Sequence, residues 1–386
     1  MTPLPADRYD VVIAGARCAG ASTAMLLARR GLRVLVVDPA REGSDTLSTH
    51  AMMRGGVLQL HRWGLLDRIR ASGAPAIRRT TFHYGNEILP VEIKPKDGVD
   101  ALYAPRRTVL DSVLVDGARQ AGDDVRHGHA LVDLVFERQG RVTGAVIAAD
   151  GQRMREVMAD LVIGADGVHS KVAGLVGAQK HYEASHTVCS IYGYVEGHPF
   201  DGYHWYFDEG AAAGAIPTND ATCVFAGVSS AIVAELRRDL LREVYREGLR
   251  AASPRLEALV ATVGLPTRLR AFPGVPSYLR ESVGPGWALV GDAGYFRDPI
   301  TAHGMTDALR EAELLTQAVI NGGLGDYQAE RDARVRGMLD VTDRVAALDW
   351  TLDEVKAHHV ELNRQMNSLI QAVRELEPDQ PSLAIA

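Results

Sequence analysis

The stretch DVVIAGARCAGAST, residues Asp10 to Thr23, decides the fold. A short β-branched strand runs into Gly15, an apolar helix follows and ends at Gly31, and a second apolar strand, LRVLVVD, comes next. Continuous apolar strands on either side of an apolar-faced helix are typical of a parallel sheet that is covered on both faces. The stretch therefore predicts the βαβ unit of a Rossmann-like α/β domain.

The turn between this strand and this helix has the spacing of a phosphate-binding loop, except that Arg17 stands at its middle position. In such loops the first glycine makes a tight turn, the middle one lets the backbone approach a pyrophosphate, and the last lets the helix pack on the sheet. Gly15 and Gly20 fill the outer positions, and the helix N-terminus offers N–H groups to phosphates. We interpret the stretch as a working dinucleotide loop with a charged side chain over the ligand. The alternative is a strand and a helix that carry two glycines by chance.

Asp38 ends the second strand, at the place where an acid accepts hydrogen bonds from a ribose hydroxyl. An acid there fits an unphosphorylated ribose and disfavours a 2′-phosphate. The alternative is an aspartate that only serves the turn after the strand. The complete βαβ unit around Asp38 favours the ribose contact.

The composition indicates a globular protein with a large core. The chain has 386 residues, 46% of them hydrophobic, which suffices for one large domain or two ordinary ones. Its net charge of −7 argues against a nucleic acid as partner, and no apolar run is long enough to span a bilayer. The first ten residues lack the pattern of a secretory signal. Cys18, Cys189 and Cys223 form no CxxC pair, which predicts free thiols in the cytoplasm and no metal site.

Two further apolar strands, in ADLVIGADG and GWALVGDAG, each stop at a pair of glycine and aspartate and extend the predicted parallel sheet. In residues 74–105 and 178–275, by contrast, apolar and polar residues alternate between turn sequences such as PTND. Alternation is typical of antiparallel strands, so we predict a second sheet that is inserted in two pieces. After about residue 305 the chain is mostly helical.

Three motifs together resemble the fingerprints of one enzyme family. They are GARCAG followed by Asp38, then DLVIGADGVHSKV, then GWALVGDAGYFRDPITAHGMTDAL. In this order and spacing they resemble those of the FAD-dependent group A aromatic hydroxylases of the para-hydroxybenzoate hydroxylase type. Geranylgeranyl reductases and flavin-dependent halogenases are related branches with the same FAD domain. The resemblance covers the chain up to about residue 320.

The resemblance implies a Rossmann-like FAD-binding domain of the glutathione reductase type, with an inserted, mostly antiparallel substrate sheet and a helical C-terminus. We expect the FAD-binding domain at 1–73, 106–177 and 276–325, the substrate-binding sheet domain at 74–105 and 178–275, and the C-terminal helices at 326–386.

The resemblance also assigns residues to FAD. The loop from Gly15 to Gly20 matches the pyrophosphate site, Asp38 the adenosine ribose contact, and Asp292 the carboxylate that binds the ribityl chain. Pro299 and the residues Gly304 to Thr306 match the ring segment, which lies along the isoalloxazine ring and where a helix N-terminus stabilises negative charge on the reduced ring. The expected cofactor residues are Gly15, Ala16, Arg17, Cys18, Ala19, Gly20, Asp38, Arg107, Asp166, Gly167, Gly291, Asp292, Pro299, Gly304, Met305 and Thr306.

Some of these residues have simpler alternative roles or depart from the family pattern. Arg107 could instead be a helix-start arginine in a surface salt bridge, and Asp166 could cap the helix that follows it. Cys18 is better explained as a packing residue than as a redox thiol. The usual loop has glycine in place of Arg17, and HGMTDA lacks the second glycine and the asparagine of many related loops, which leaves the flavin position open.

With FAD in place, the resemblance implies a monooxygenase. NAD(P)H would reduce the flavin, dioxygen would form a flavin hydroperoxide, and its terminal oxygen would pass to an aromatic or polyketide-like small molecule. The protein would hold that substrate against the ring and exclude water. We expect a cytoplasmic enzyme of secondary metabolism, either a monomer or a homodimer.

His50, His303 and Tyr206 are the candidate catalytic residues. His50 follows the second strand by a short loop and His303 adjoins the flavin segment, where an imidazole could exchange a proton. Alternation places Tyr192 and Tyr194 on one face of a strand and Tyr206 on one face of the next, which predicts an aromatic substrate pocket. The alternatives are histidines with a structural role and an ordinary sheet core.

Three rival functions remain open. A flavin-dependent halogenase would need a lysine beside the flavin and a Trp-x-Trp-x-Ile-Pro stretch, and HWYFDEGAAAGAIP lacks that spacing. A prenyl reductase would have the same FAD domain and an isoprenoid substrate in a long apolar tunnel. A non-enzymatic FAD-binding protein would have no need for Asp38, Asp166 and Asp292 together.

Overall fold

The computed structural model describes residues 7–149, 153–197, 199–230 and 240–376, whose strands form three sheets. In chain order the strands are β1 (Asp7–Ala14), β2 (Val34–Asp38), β3 (Arg79–Tyr84), β4 (Glu87–Glu92), β5 (Asp124–His127), β6 (His129–Phe136), β7 (Val142–Ala149), β8 (Arg155–Gly164), β9 (Lys180–Glu183), β10 (Val188–Glu196), β11 (Tyr203–Asp208), β12 (Ala211–Thr218), β13 (Ala221–Ser229), β14 (Arg270–Phe272), β15 (Tyr278–Arg280), β16 (Val283–Gly284), β17 (Trp287–Leu289) and β18 (Tyr295–Phe296).

The α-helices cover the sheets and, as predicted, dominate the C-terminal part. They are α1 (Cys18–Arg29), α2 (Arg54–Arg62), α3 (Leu66–Ala71), α4 (Arg107–Gln120), α5 (Lys171–Leu175), α6 (Leu241–Ala252), α7 (Pro254–Val263), α8 (Gly304–Ile320), α9 (Leu324–Ala346) and α10 (Leu352–Glu375). Within the described ranges, none of these helices combines the length and the apolar character that a membrane crossing needs.

The eight-stranded sheet contains the parallel core that the opening stretch predicts. Strands β5, β2, β1, β8 and β17 lie side by side and parallel. Helices α1, α4 and α8 cover one face of this core, and α5 with the β6–β7 hairpin covers the other. The prediction of a Rossmann-like α/β domain is therefore confirmed.

The inserted sheet is also confirmed. Its seven strands have the order β14-β10-β13-β12-β11-β3-β4, in which only β3 and β11 pair in parallel. β3 and β4 come from residues 74–105, and the other five strands come from residues 178–275. The second piece also contains α6 and α7, where alternation had led us to expect strands alone. These helices lie on the outer face of the sheet, where Tyr245 and Leu249 are fully buried.

The inner face of the inserted sheet, which is turned towards α8, carries a row of large apolar side chains. The strand register places in one line the residues Leu89, Phe82, Trp205, Gly214, Phe225 and Tyr192. The Phe225 ring fills the space over Gly214, where an added Cβ would lie 2.4 Å from Cε1 of Phe225. Trp205 and Phe225 meet edge to face, with ring centroids 6.1 Å apart. The sheet thus presents an aromatic surface to the parallel domain.

The glycines of the dinucleotide loop permit contacts that no side chain would tolerate. Gly15 has φ of +103°, and a Cβ at this residue would lie 2.4 Å from the carbonyl oxygen of Ala165, just after β8. A Cβ on Gly20 would lie 1.8 Å from the carbonyl oxygen of Gly15. The N-terminus of α1 therefore packs directly on the backbone of two strand ends, as the loop interpretation predicts.

We expect Gly20→Ala to lower the free energy of unfolding by about 2 kcal/mol or more, because the backbone must move to admit the methyl group. The matched control is Gly325→Ala in α9, where an added Cβ meets nothing within 4 Å. This control should be neutral or stabilising by up to about 1 kcal/mol, because alanine favours the helix. Urea unfolding of both variants checks the difference, and equal effects would contradict the close-packing explanation.

Candidate active site

The dinucleotide loop forms one wall of a pocket at the carboxyl ends of β1 and β2. Ala16 donates its N–H to Oδ2 of Asp38 over 2.8 Å, and Ala40 donates to Oδ1 of the same carboxylate over 2.8 Å. Asp38 therefore serves the turn, and each oxygen still has a lone pair for a ribose hydroxyl. Residues around this pocket include Arg17, Asp38, Arg41, Ser44, Asp111 and His127.

Arg17 reaches across the pocket to a carboxylate that sequence reasoning missed. Its Nη1 lies 3.1 Å from Oδ2 of Asp111 on α4, and its Nη2 lies 3.4 Å from Oγ of Ser44 in the loop after β2. Asp111 also accepts from Nε of Arg107 over 3.1 Å and from Sγ of Cys18 over 3.4 Å. The Arg107 side chain is only 12% exposed, so its ion pair is not the surface pair of the simpler alternative.

The thiol of Cys18 is held in its neutral form. Burial and the nearby Asp111 carboxylate together raise its pKa to about 12, although Arg107 opposes the shift. A thiol with such a pKa is a poor nucleophile at neutral pH. The expectation that Cys18 is a packing residue fits this environment.

Asp292 lies in the short 3-10 turn Gly291–Ala293, next to the same end of α1. The contact is close, because a Cβ on Gly291 would lie 2.8 Å from Cβ of Ala19. Burial raises the pKa of the Asp292 carboxyl to about 6, although Arg107 opposes the shift. Among the described residues, no group hydrogen-bonds this carboxylate, while its backbone carbonyl accepts from Oη of Tyr278. Asp292 is only partly exposed, so a carboxylate without a donor at this place fits a hydroxyl-bearing ligand.

Asp166 and Gly167 follow β8, at the same edge of the parallel sheet. The Asp166 carboxylate accepts from the N–H of Lys171 over 2.7 Å and from Oγ of Ser170. Asp166 thus has the capping role that was its simpler alternative. Gly167 has φ of +79° and no atom within 4 Å of an added Cβ. The role of this pair in cofactor binding stays a prediction.

The segment that begins at Pro299 is anchored to the inserted sheet. Asp298 accepts from the N–H of Ile300 and from the N–H of Val188 at the start of β10, each over 2.9 Å. Ile300 packs against the inner face of the sheet, where its Cδ1 lies 3.3 Å from the position of a Cβ on Gly227. The short 3-10 turn Pro299–Thr301 therefore packs on the inner face of the inserted sheet at Gly227.

Helix α8 begins at Gly304, and no side chain caps its N-terminus. The N–H groups of Gly304, Met305 and Thr306 belong to its first turn, where helices leave backbone donors without intrahelical partners. Oγ1 of Thr306 accepts from the N–H of Met53, which fixes the segment before α2 against this end. Such an end offers donors and partial positive charge to an electron-rich ring edge.

His303 precedes this helix and is buried. Its Nδ1 hydrogen-bonds the carbonyl of Thr301, and its Nε2 has no partner among the described residues. Burial lowers the pKa of His303 to about 3, so the imidazole is neutral at pH 7. The ring borders a pocket between α2, α8 and α10 together with Thr306, Leu369 and Ile370. His303 is therefore next to the ring segment, as predicted, but on the side that faces α10.

His50 is fully buried and pairs with Tyr194 on β10. Its Nε2 lies 2.6 Å from Oη of Tyr194, and its Nδ1 has no partner in the described part of the chain. Burial, aided by Arg106 and Arg107, lowers the pKa of His50 to about 3. The guanidinium carbon of Arg106 lies 3.4 Å from the centroid of the Tyr194 ring. His50 also has φ of +69°, a strained conformation of the kind that is concentrated at functional sites.

Tyr206 lies on the opposite side of the inserted sheet. It stacks on His83 with ring centroids 4.1 Å apart and packs in the outer cluster with Tyr245 of α6. His204 shares this face, as alternation predicts, but the face is turned away from α8. The structure therefore contradicts the prediction that Tyr206 lines the site. The inner face of the same strand carries Trp205 instead.

A buried ion network supports the N-terminus of α8, and sequence reasoning missed it. Asp307 accepts from Arg297, from Nη1 of Arg310 over 2.7 Å and from Oη of Tyr295 over 3.2 Å. Burial alone would raise the pKa of Asp307, but Arg297 and Arg310 together lower it. Oε2 of Glu311 accepts from the N–H of Gly291 over 3.0 Å, which ties α8 to the turn that carries Asp292.

Comparison with known proteins agrees with this arrangement. Residues 8–342 match the family model described as the FAD binding domain. The chain belongs to this FAD-binding family. It is 29% identical to the menaquinone reductase of Mycolicibacterium smegmatis over 349 residues, which cover 83% of this chain and 79% of that protein. The protein is therefore an FAD-dependent oxidoreductase.

Two solved structures share the fold over nearly the whole chain. The myxobacterial chondrochloren halogenase CndH has a TM-score of 0.76 at 21% identity, covering 98% of this chain and 94% of its own. PqsL of Pseudomonas aeruginosa, a probable FAD-dependent monooxygenase, has a TM-score of 0.75 at 19% identity, covering 94% and 100%. At these identities the likeness concerns the fold alone, so it does not select one reaction.

The residues at the site fit FAD. The cradle at the start of α1 has no room for side chains at Gly15 and Gly20, which suits a pyrophosphate on the helix N-terminus. Asp38 has lone pairs for the ribose, and the unpaired Asp292 has them for ribityl hydroxyls. The uncapped end of α8 would face the flavin ring. FAD would supply the redox chemistry at this end.

The unpaired carboxylate of Asp292 should destabilise the cofactor-free protein. Its pKa is about 6 in the folded protein and about 3.9 when unfolded, so the penalty is absent below about pH 4 and complete above about pH 6. We expect Asp292→Asn to raise the Tm of the cofactor-free protein at pH 8, with a gain that shrinks towards pH 4, while FAD binding weakens. Thermal unfolding from pH 4 to 8, with FAD titrations, checks this prediction. A stability gain that does not depend on pH would contradict it.

Proposed function

We propose that this protein is an NAD(P)H-dependent FAD monooxygenase that hydroxylates an aromatic or polyketide-like small molecule. The observation that carries the proposal is the aromatic inner face of the inserted sheet, which Ile300 of the ring segment touches at Gly227. A planar substrate on this face would lie beside the segment that is expected to hold the flavin. FAD, when bound, would supply hydride acceptance from NAD(P)H and activation of dioxygen.

The chain's own part is to bind the substrate and to exclude water. Trp205 and Phe225 are almost fully buried, and both face the parallel domain. Nε1 of Trp205 donates to Oγ1 of Thr80 over 2.9 Å, so the indole has its hydrogen bond and a fixed orientation. A dry surface of oriented aromatic rings favours a flat, uncharged ligand through apolar burial and ring stacking.

His50 and Tyr194 would form the polar end of this surface. Tyr194 is on the same face of β10 as Tyr192, and burial raises its pKa, so its phenol stays protonated. Both members of the pair are therefore uncharged at neutral pH. With Nε2 engaged by Tyr194, Nδ1 of His50 remains to hydrogen-bond a substrate hydroxyl or carbonyl. We assign the pair to orientation and local proton exchange, not to charge stabilisation.

A second candidate is an FAD-dependent reductase of an isoprenoid double bond. The 29% identity to the menaquinone reductase favours a reductase over a monooxygenase. Such an enzyme would saturate a carbon–carbon bond of a long apolar substrate and would consume no dioxygen. The halogenase alternative is supported by likeness of fold alone, and the chain lacks the Trp-x-Trp-x-Ile-Pro spacing.

The reaction can be tested directly on the FAD-loaded protein. We expect NADH or NADPH oxidation to rise with at least one compound from a panel of phenols and phenolic polyketides, and the product to gain one oxygen atom from ¹⁸O₂. A panel of prenylated quinones, incubated without oxygen, is the parallel arm. A product heavier by two hydrogens in that arm, with no labelled oxygen in the first, would replace the monooxygenase proposal by the reductase.

The role of Tyr194 can be tested against a tyrosine on the other side of the same sheet. We expect Tyr194→Phe to lower kcat/KM for the best substrate about tenfold or more, because the buried His50 loses its partner. Tyr206→Phe is the matched control, and its kcat/KM should stay within about twofold because it is on the outer face. Steady-state kinetics of both variants check this, and equal losses would contradict the assignment.

A further inference from the structure

We propose that Arg17 is itself a ligand of the FAD pyrophosphate, and that its charge replaces the close backbone contact that a middle glycine allows. The inference rests on FAD binding, which the family establishes, and not on which reaction the enzyme performs. It assigns a function to the one residue of the loop that departs from the glycine pattern.

The position of Arg17 carries the proposal first. It is the N-cap residue of α1, with its backbone in the extended region and no side-chain cap hydrogen bond. The Arg17 side chain therefore begins beside the free N–H groups at the helix N-terminus. A phosphate binds at this place in dinucleotide folds. From there it extends to Asp111 on α4 and to Ser44 after β2, so it joins the two other walls of the pocket.

The charges around Asp111 carry the proposal further. Arg17 and Arg107 both contact this single carboxylate, so these three side chains together carry one net positive charge. The Asp111 side chain is 11% exposed, and the Arg17 side chain is 30% exposed at the pocket. A pyrophosphate would give Arg17 a second anionic partner, and an arginine fork is the side chain best suited to bind one. Asp111 would hold Arg17 in position when no cofactor is bound.

The two possible roles of Arg17 predict opposite effects of restoring glycine. If Arg17 only occupies a place where glycine would serve better, Arg17→Gly should bind FAD as tightly as the native protein or more tightly. If Arg17 is a phosphate ligand, Arg17→Gly and the uncharged Arg17→Gln should both bind FAD about tenfold more weakly. The Arg17→Gln variant retains a side chain, so it answers the question even if the glycine variant does not fold.

The experiment is a calorimetric titration of the cofactor-free protein with FAD, ADP and adenosine. Thermal unfolding of each cofactor-free variant checks that it is folded. Arg33→Gln is the matched control for net charge, because Arg33 is exposed beyond the other end of α1 and stacks on Tyr9. It should bind all three ligands like the native protein.

The expected result is a loss of about tenfold, and of at least threefold, in affinity for FAD and ADP in both Arg17 variants, with adenosine unaffected. A smaller loss, no change or tighter binding of FAD would overturn the proposal. So would an equal loss for adenosine, because Arg17 would then act on the nucleoside or on the shape of the loop. Because no turnover is measured, failure here would leave the proposed reaction untouched.

Discussion

The structure depends on one packing constraint, which is the contact of the first turn of α1 with three strand ends. Gly20 in this first turn packs on the carbonyl oxygen of Gly15 after β1 and on Cβ of Ala165 after β8, and Ala19 packs on Gly291 after β17. Each contact is closer than a side chain would allow. The three fingerprints are far apart in sequence and meet because of these contacts. They bring Asp38, Asp166 and Asp292 to one edge of the parallel sheet, where open α/β sheets bind ligands.

The candidate site also contains polar groups that have no hydrogen-bond partner within the described part of the protein. Asp292 is partly exposed and has no hydrogen-bond donor among the described residues, and His50 and His303 each have a buried ring nitrogen without a partner there. Burial also raises the pKa of Glu311, next to Asp292, to about 7. A buried polar group costs about 1–3 kcal/mol when it is unpaired, so a ligand that hydrogen-bonds these groups would stabilise the protein.

The sequence was sufficient to predict the parts of the fold that depend on local patterns of residues. The βαβ unit, the inserted sheet in two pieces and the helical C-terminus follow from periodicity and glycine placement, and the structure has them. Tyr206 was misplaced because alternation groups residues by face but does not say which face is turned inward. That choice depends on β11 pairing with β3, a contact between distant segments. Helices α6 and α7 were missed, although Tyr245, Leu249 and Ala252 have helical spacing in the sequence.

Polar pairs between different helices, strands and turns could not be predicted from the sequence, for a different reason. The pair of Arg107 and Asp111 has the i,i+4 spacing of a helix and could have been predicted. The pair of Arg17 and Asp111 could not, because 94 positions separate the two residues. The hydrogen bond between Gly291 and Glu311 could not be predicted either, because the N–H of Gly291 meets the Glu311 carboxylate only when α8 packs beside the turn. Long-range polar pairs can be identified only from the tertiary structure. The glycines that permit that structure can be recognised in the sequence.

A single buried aspartate, Asp298, joins the inserted sheet to the Pro299–Thr301 turn. Asp298 bonds the N–H of Ile300 with one oxygen, and with the other it bonds the N–H of Val188 and Oγ1 of Thr187. Separating the sheet from the segment would leave these groups buried and unpaired. The penalty would be about 1–3 kcal/mol for each, so the two parts hold one relative position. The distance between the aromatic face and the end of α8 is thereby fixed by the chain itself, before any cofactor or substrate binds.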